Sequence, residues 1–94
     1  MNKKVKPHYL GHRERLRKRF EKSGPKGLHD YEILELLLTY AIPRKDVKPI
    51  AKSLIKRFNS FSGVFNASLE ELKGVRGLSS TSAVLIQVVK EIFG

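Results

Sequence analysis

Apolar residues recur every three or four positions through most of this chain, which is the spacing of an amphipathic α-helix. The repeat is strongest over 31–41, where we expect a central core helix that ends before Pro43, because proline disfavours helical geometry in the preceding residue. A second helix is predicted over 47–58, with Asp46 as its N-cap and Pro49 tolerated in its first turn. The residues expected to form the apolar faces of these two helices are Ile33, Leu34, Leu37, Leu38 and Ala41, then Val47, Ile50, Ala51, Leu54, Ile55 and Phe58.

The segment before the core helix is polar and basic. A first helix is expected over 12–22, with Leu16 and Phe20 as a narrow apolar stripe. The turn-forming residues 24–27 should end it, and Asp30 offers a side-chain oxygen to cap the core helix. One turn of the first helix is therefore expected to dock on the body, while the rest reaches outward.

Three further helices are predicted in the second half of the chain. Residues 59–67 favour a brief connecting helix, and Ser68 and Glu71 have the spacing of a capping box that begins a short helix. A long terminal helix follows from about Ser80. Because no segment shows the strict alternation of a β-strand, the fold class is all-α, with five to six short helices. The apolar set expected for the terminal helix is Ala83, Val84, Val88 and Ile92, with Leu85, Val89 and Phe93 alongside.

The composition narrows the class of protein. Ninety-four residues, 40% hydrophobic and 30% charged, fit one small globular domain. The absence of cysteine excludes a disulfide framework, a thiolate nucleophile and a Cys-ligated zinc. No run approaches the roughly 18 apolar residues of a membrane span, and the first dozen residues lack the apolar core of a secretion signal. We therefore expect a cytoplasmic protein.

The charge is strongly positive and unevenly distributed. The net charge is +10, and residues 1–26 hold ten basic and two acidic side chains, so the chain is predicted to be a basic arm over 1–26 attached to a nearly neutral body over 27–94. On the first helix Arg15, Lys18 and Lys22 point away from the apolar stripe, and Arg13 flanks it. This excess favours a polyanionic partner over a membrane, whose interfacial helices need a wider apolar stripe. The alternative is a solvated face that only maintains solubility.

A candidate phosphate-binding turn lies between the two last helices. The run Val75-Arg76-Gly77-Leu78-Ser79 has the pattern of a helix-hairpin-helix turn, in which glycine allows positive φ and close approach of the backbone to a phosphate. Amides at the start of the following helix can hold the phosphate oxygens. We expect Val75 and Leu78 to enter the core, Arg76 to project outward, and the hydroxyls of Ser80 and Thr81 to cap the helix or donate to the phosphate. The alternative is an ordinary helical corner, and Ser79 stands where the pattern usually has a second glycine.

The helices over 31–41 and 47–58 form a second hairpin, with basic residues but no glycine on the turn at 42–46. The sequence thus predicts a tandem helix-hairpin-helix fold in which one hairpin is degenerate, because its turn lacks the glycine. Five phenylalanines sit at core-like spacing, which favours duplex or branched DNA over a single strand, since few rings remain for base stacking. The candidate DNA-contact residues are Arg13, Arg15, Lys18, Lys22, Arg76, Gly77, Leu78, Ser79, Ser80 and Thr81.

No catalytic, metal or cofactor site is expected. The histidines are His8, His12 and His29, none in a His-x-His pair, and although His8 and His12 could share a helix face, no carboxylate is suitably placed in the sequence to complete a metal site. We expect all three to be surface or capping residues. No nucleophile with an adjacent base and no Gly-rich phosphate loop is visible, so the chain is predicted not to be an enzyme.

The segments 11–20, 30–38, 41–49, 58–61 and 75–79 closely resemble the N-terminal domain of RadC-like (UPF0758) bacterial proteins. The resemblance implies a tandem helix-hairpin-helix fold, a position before a JAMM-type metallopeptidase-like domain that this sequence does not contain, and an association with DNA repair. It also implies DNA-backbone contacts at Gly77, Leu78 and Ser79. Two hypotheses follow: a non-enzymatic module that binds DNA without sequence preference, or a docking and regulatory domain for the JAMM-like domain.

Overall fold

The computed structural model describes residues 8–93, and these fold into helices with no β-strand among them, which confirms the all-α prediction. Lys3, Lys4 and Lys6 of the predicted basic arm lie outside the described residues. Within 8–93, no helix combines the length and the apolar character that crossing a membrane requires. The helices are α1 (His8–Ser23), followed by a 3₁₀ turn (Gly24–Gly27), α2 (Asp30–Thr39), α3 (Lys48–Phe58), α4 (Phe61–Asn66), α5 (Leu69–Lys73) and α6 (Ser80–Phe93).

The main core lies between α2 and α3 and is closed by the short helices α4 and α5 and by the longer α6. Leu34 and Leu38 of α2 are fully buried in one core with Ala51 and Leu54 of α3, which confirms the face predicted for α3 and part of the face predicted for α2. Leu37, predicted to face the core, is half-buried, and Leu36, which was not predicted, is buried in a second core. The prediction that Asp46 caps α3 is wrong by one residue, because Val47 occupies the N-cap and Asp46 precedes it, accepting from the Lys48 amide through Oδ1 at 3.1 Å. The remaining buried members of the core are Ile42, Val47, Ile50, Val64, Ala67, Leu72, Val75, Leu78, Ala83 and Ile86.

The capping residues show where local sequence chemistry sets helix boundaries. Ser68 and Glu71 form the predicted capping box, with the Glu71 amide donating to Ser68 Oγ at 3.0 Å and the Ser68 amide donating to Glu71 Oε1 at 2.9 Å. The prediction that Asp30 caps α2 is wrong by one residue. His29 occupies the N-cap, and its amide donates to Glu32 Oε1 at 2.9 Å, because Glu32 stands at the position from which a carboxylate reaches back.

The basic helix α1 is attached to the body by a small second core. Leu16 is fully buried with Leu28 and Leu36, and Ile33 packs on this group. Phe20, predicted to share the apolar stripe, is 40% exposed. α1 therefore docks through its middle turn, and most of its cationic side chains stay on the surface.

The inward face of α6 differs from the prediction. Ala83 and Ile86 are fully buried, whereas Val84, Val88 and Ile92 are exposed. The helix is apolar on two stripes, so its sequence does not identify the buried one. The orientation is set by tertiary contacts, among them Gln87 Nε2, which donates to the Ala67 carbonyl at 2.8 Å.

Candidate nucleic-acid interface

The turn between α5 and α6 has the geometry that the glycine pattern predicts. Val75 and Leu78 are buried, and the Leu78 amide donates to the Val75 carbonyl at 3.1 Å, which closes the turn. Between them Arg76 is exposed and Gly77 has φ +87°, a conformation that side chains with a Cβ rarely adopt. The predictions of an inward Val75 and Leu78, an outward Arg76 and a positive φ at Gly77 are confirmed.

The start of α6 is capped by Ser79 rather than by Ser80 or Thr81. Ser79 Oγ accepts from the Ser82 amide at 3.1 Å and lies 2.7 Å from the buried hydroxyl of Ser82. The Ser79 side chain is therefore occupied by the helix cap, and its remaining contribution to a ligand is its backbone. Ser80 and Thr81 are exposed in the first turn, where the backbone amides have no carbonyl one turn earlier in the helix to accept from them.

The two hairpin turns meet at Gly77. A Cβ at this position would lie 3.3 Å from Cδ1 and Cγ1 of Ile50, in α3, and 3.9 Å from the ammonium nitrogen of Lys45. Lys45 belongs to the α2–α3 turn, the hairpin without a glycine, and is not among the contact residues that the sequence predicts. The structure thus adds Lys45 to the face that carries Arg76. The signal in the sequence was the pair of basic residues on that turn, but the turn's proximity to Gly77 is a tertiary feature.

Arg13 is not part of this exposed face. Its side chain is 8% exposed, and its guanidinium donates to the carbonyls of Thr39 at 3.2 Å, of Lys45 at 2.7 Å and of Ile42. The prediction of an Arg13 contact to DNA is therefore corrected: its donors are used to satisfy carbonyls at and after the end of α2. Arginine suits this role because its planar fork presents several donors at once.

The other predicted cations of α1 are on the surface. Arg15, Lys18 and Lys22 are exposed and follow one another at helical spacing, about 10 Å from first to last. Arg15 also lines a cleft with Lys48, at the start of α3, and His12 and Asp46 complete its lining, so the cations of α1 approach those of α3 across a site that also holds a carboxylate. Arg19, by contrast, is paired with Glu32, with Arg19 Nη1 donating to Glu32 Oε2 at 3.0 Å.

Two carboxylates of α2, one turn apart, have opposite pKa shifts. Burial alone raises the pKa of Glu32, but hydrogen bonds from the His29 amide and from Arg19 outweigh burial and hold that pKa below its ordinary value. Burial raises the pKa of Glu35, and the nearby His12 offsets this only in part. His12 Nε2 lies 2.9 Å from the Oε2 atom of the buried Glu35, so His12 is a half-buried partner of a carboxylate and not the surface or capping residue that was expected. Among residues 8–93, however, no group of three or more potential metal ligands forms.

The comparisons with known proteins agree with the resemblance. The family model described as UPF0758 N-terminal matches residues 8–84. A UPF0758 protein of Fusobacterium nucleatum subsp. nucleatum is 50% identical over 82 residues, which cover 87% of this chain and 35% of that protein. The chain thus spans about a third of the length of this relative. No solved structure shows significant similarity. With most of its length matched by the family model, the chain belongs to the RadC-like UPF0758 family and carries its N-terminal domain.

Proposed function

We propose that this domain is a non-enzymatic DNA-binding module that contacts the phosphate backbone without reading sequence. The observation that carries the proposal is the meeting of the two hairpin turns at Gly77: Arg76 is exposed on the α5–α6 turn, and Lys45 of the α2–α3 turn brings its ammonium nitrogen close to Gly77. A phosphate in front of this turn would have two cations and the first amides of α6 within one small region.

The exposed cations of α1 extend this surface. Arg15, Lys18 and Lys22 are spaced along about 10 Å of helix, which is the scale of a few phosphate steps on one DNA strand. The cleft shared by Arg15 and Lys48 links α1 to the start of α3. Contact at both the hairpin turn and α1 would hold the backbone at more than one point, which is what a duplex or branched DNA offers.

The side chains at the proposed surface favour phosphates over bases. Exposed groups at the start of α6 are the hydroxyls of Ser80 and Thr81, and the cations of α1 lie on a helix that docks through Leu16. A row of Asn, Gln or Arg side chains along one groove-entering helix, as sequence readout requires, is not present on α6. Phe20 and Phe93, expected in the core from their spacing, are exposed, so these two rings are accessible on the surface.

The test is binding of the purified domain to random-sequence DNA. Fluorescence anisotropy with a duplex, a four-way junction and a single strand of equal length, at two salt concentrations, measures affinity, shape preference and salt dependence together. We expect binding to duplex or junction that weakens steeply with salt and changes little when the sequence is scrambled. A hundredfold preference for one short sequence would contradict backbone recognition. Absence of measurable binding at low salt would favour the docking hypothesis.

The association with DNA repair is part of the same proposal and comes from the family resemblance alone. A cytoplasmic location and the lack of catalytic activity are likewise expectations for this domain. They are tested by localising a tagged chain in a bacterial cell and by assaying the purified domain for nuclease activity on the same DNA substrates.

A further inference from the structure

The outer face of α6 is apolar and is not covered by the rest of the domain. Val84 is 46% exposed, Val88 is 47% exposed, Ile92 is 67% exposed and Phe93 is 85% exposed. The first three follow one another at intervals of four residues, so they form one continuous stripe along the helix. We call Val84, Val88, Ile92 and Phe93 the α6 apolar face.

Shallow apolar grooves flank this face on both sides. One lies between the stripe and the half-buried Leu69 of α5, and the other lies between Phe93 and the half-buried rings of Phe61 and Phe65 of α4. Residues of α4, α5 and α6 therefore line one shallow apolar surface. This arrangement can receive the apolar side chains of another protein segment.

The charge of this region differs from that of the rest of the domain. Between Leu85 and Phe93 the charged residues are Lys90 and Glu91, which cancel, in a protein of net charge +10. α6 packs on α4 and α5, whereas α1 packs on α2, so the α6 apolar face and the cations of α1 belong to different parts of the fold. Because Glu91 balances Lys90, this face offers a polyanion no net positive charge, whereas an apolar protein surface can pack on it.

The area of this face distinguishes two kinds of protein partner, a separate protein and a segment of the same chain. Four partly exposed side chains offer on the order of a few hundred Å², below the roughly 800 Å² per partner that a stable free association usually buries. A partner in the same chain needs much less area, because a tether sets its effective concentration near the millimolar range. The Fusobacterium relative supplies such a partner, since about two thirds of its length lies outside the matched region.

We propose that the α6 apolar face is the docking surface for the C-terminal part of the longer UPF0758 chain. The proposal is independent of DNA binding, because it uses none of the cations assigned to the phosphate surface. It also gives the docking hypothesis a defined location, centred on Val88 and Ile92.

The experiment compares the isolated domain with a full-length chimera. The matched region of the Fusobacterium protein is replaced by this domain, a substitution that the 50% identity makes compatible with the rest of that chain. Hydrogen exchange of the α6 amides is measured in both proteins. We expect the amides of residues 88–93 to exchange at least about tenfold more slowly in the chimera, since docking suppresses local opening of the helix end.

A matched pair of variants separates docking from unrelated effects. Ile92→Lys, alone and combined with Val88→Lys, should abolish the slowing in the chimera and leave the Tm of the isolated domain within about 2 °C, because both side chains are exposed. Tyr40→Lys is the control: Tyr40 is 68% exposed, nearly the same as Ile92, but lies at the end of α2. It should leave the slowing intact.

Three outcomes would overturn the proposal. The first is equal exchange of residues 88–93 in the isolated domain and the chimera. The second is slowing that persists in the double variant. The third is a concentration-dependent dimer of the isolated domain in sedimentation analysis that Ile92→Lys dissociates, because the face would then be occupied by a second copy.

Discussion

The guanidinium of Arg13 donates to the carbonyl oxygen of Lys45 at 2.7 Å, across 32 positions of the chain. Through this bond a residue of the basic helix holds the turn whose lysine lies beside Gly77. Arg13 is therefore a positioning residue for the proposed phosphate surface and not a contact within it. The distinction between buried and exposed cations of α1 leads to the first two predictions.

Replacing Arg13 by alanine should destabilise the fold. Three carbonyl groups lose a charged donor in a largely buried setting, and we expect the free energy of unfolding to fall by about 2–4 kcal/mol. Arg15→Ala, two residues away but exposed, should change it by less than about 0.5 kcal/mol. Urea denaturation of both variants measures the difference. Equal stability of the two variants would show that the Arg13 bonds contribute little.

The exposed cations of α1 should account for much of the salt dependence of DNA binding. Changing Arg15, Lys18 and Lys22 together to glutamine removes up to three phosphate contacts, so the slope of log K against log salt should flatten by about 2–3 units. Circular dichroism should show an unchanged fold, because all three side chains are exposed. An unchanged slope would show that these three cations do not contact DNA and only maintain solubility.

The cations of the two hairpin turns should each contribute one contact. Arg76→Ala and Lys45→Ala are each expected to reduce the salt slope by about one unit and to leave the Tm nearly unchanged, because both side chains are exposed. Lys90→Ala removes the same charge from the far half of α6 and serves as the control. If Lys90→Ala weakens binding as much as Arg76→Ala, the effect is one of net charge and not of position.

Gly77 should be sensitive for two separable reasons. Its φ of +87° is unfavourable for any residue with a Cβ, and that Cβ would also lie 3.3 Å from the Ile50 side chain. Gly77→Ala should therefore lower the free energy of unfolding by about 1–2 kcal/mol, and Gly77→Val should lower it further. Gly24 tests the effect of positive φ alone, since it has φ +68° and an added Cβ would have no atom within 4 Å. We expect Gly24→Ala to cost less than Gly77→Ala in thermal unfolding.

DNA affinity of the Gly77 variants tests the function of the turn. A Cβ at this position would press on Ile50 and lie 3.9 Å from the Lys45 ammonium nitrogen, so it should disturb the contact between the two turns. Gly77→Ala should therefore weaken duplex binding beyond what its loss of folded fraction explains. Gly24→Ala should bind as the parent does. If the folded fraction of Gly77→Val binds duplex with the parental affinity, the turn is an ordinary helical corner.

Glu32 and Glu35 should respond to pH with opposite signs. The lowered pKa of Glu32 means that its contribution to stability is present above its ordinary pKa of 4.5 and is lost as the pH falls through the folded-state value. The raised pKa of Glu35 means that its contribution is complete below 4.5 and is lost as the pH rises through the folded-state value.

The glutamine variants make this difference measurable. Relative to the parent, Glu32→Gln should be less stable at pH 7 and nearly equal near pH 3. The free energy of unfolding of Glu35→Gln relative to that of the parent should increase as the pH rises from 4 to 8, because the variant lacks a carboxyl that is costly to ionise in its buried site. Urea denaturation across this range checks both. Parallel pH profiles for the two variants would contradict the assigned shifts.

Local chemistry explains the parts of this protein that were predictable. Ser68 and Glu71 cap each other within four residues, and the positive φ of Gly77 follows from a turn whose flanking apolar residues must both face the core. The inward face of α3 was also predictable, because it carries one dominant apolar stripe, whereas α2 packs on two cores and only its Leu34 and Leu38 side was predicted. In these cases every interaction that decides the structure lies within one or two helical turns.

The sequence by itself therefore determined the all-α class, the helix order, the hairpin turn and the family. Tertiary structure alone decided which stripe of α6 is buried, because its two stripes are similarly apolar and the choice depends on contacts with α4 and α5. It also decided that Arg13, among several cations of one helix, would turn inward, since its carbonyl partners lie 26 to 32 residues away. The same holds for the approach of Lys45 to Gly77. Helical periodicity describes neighbours within a few residues, and these three features arise from packing between distant segments.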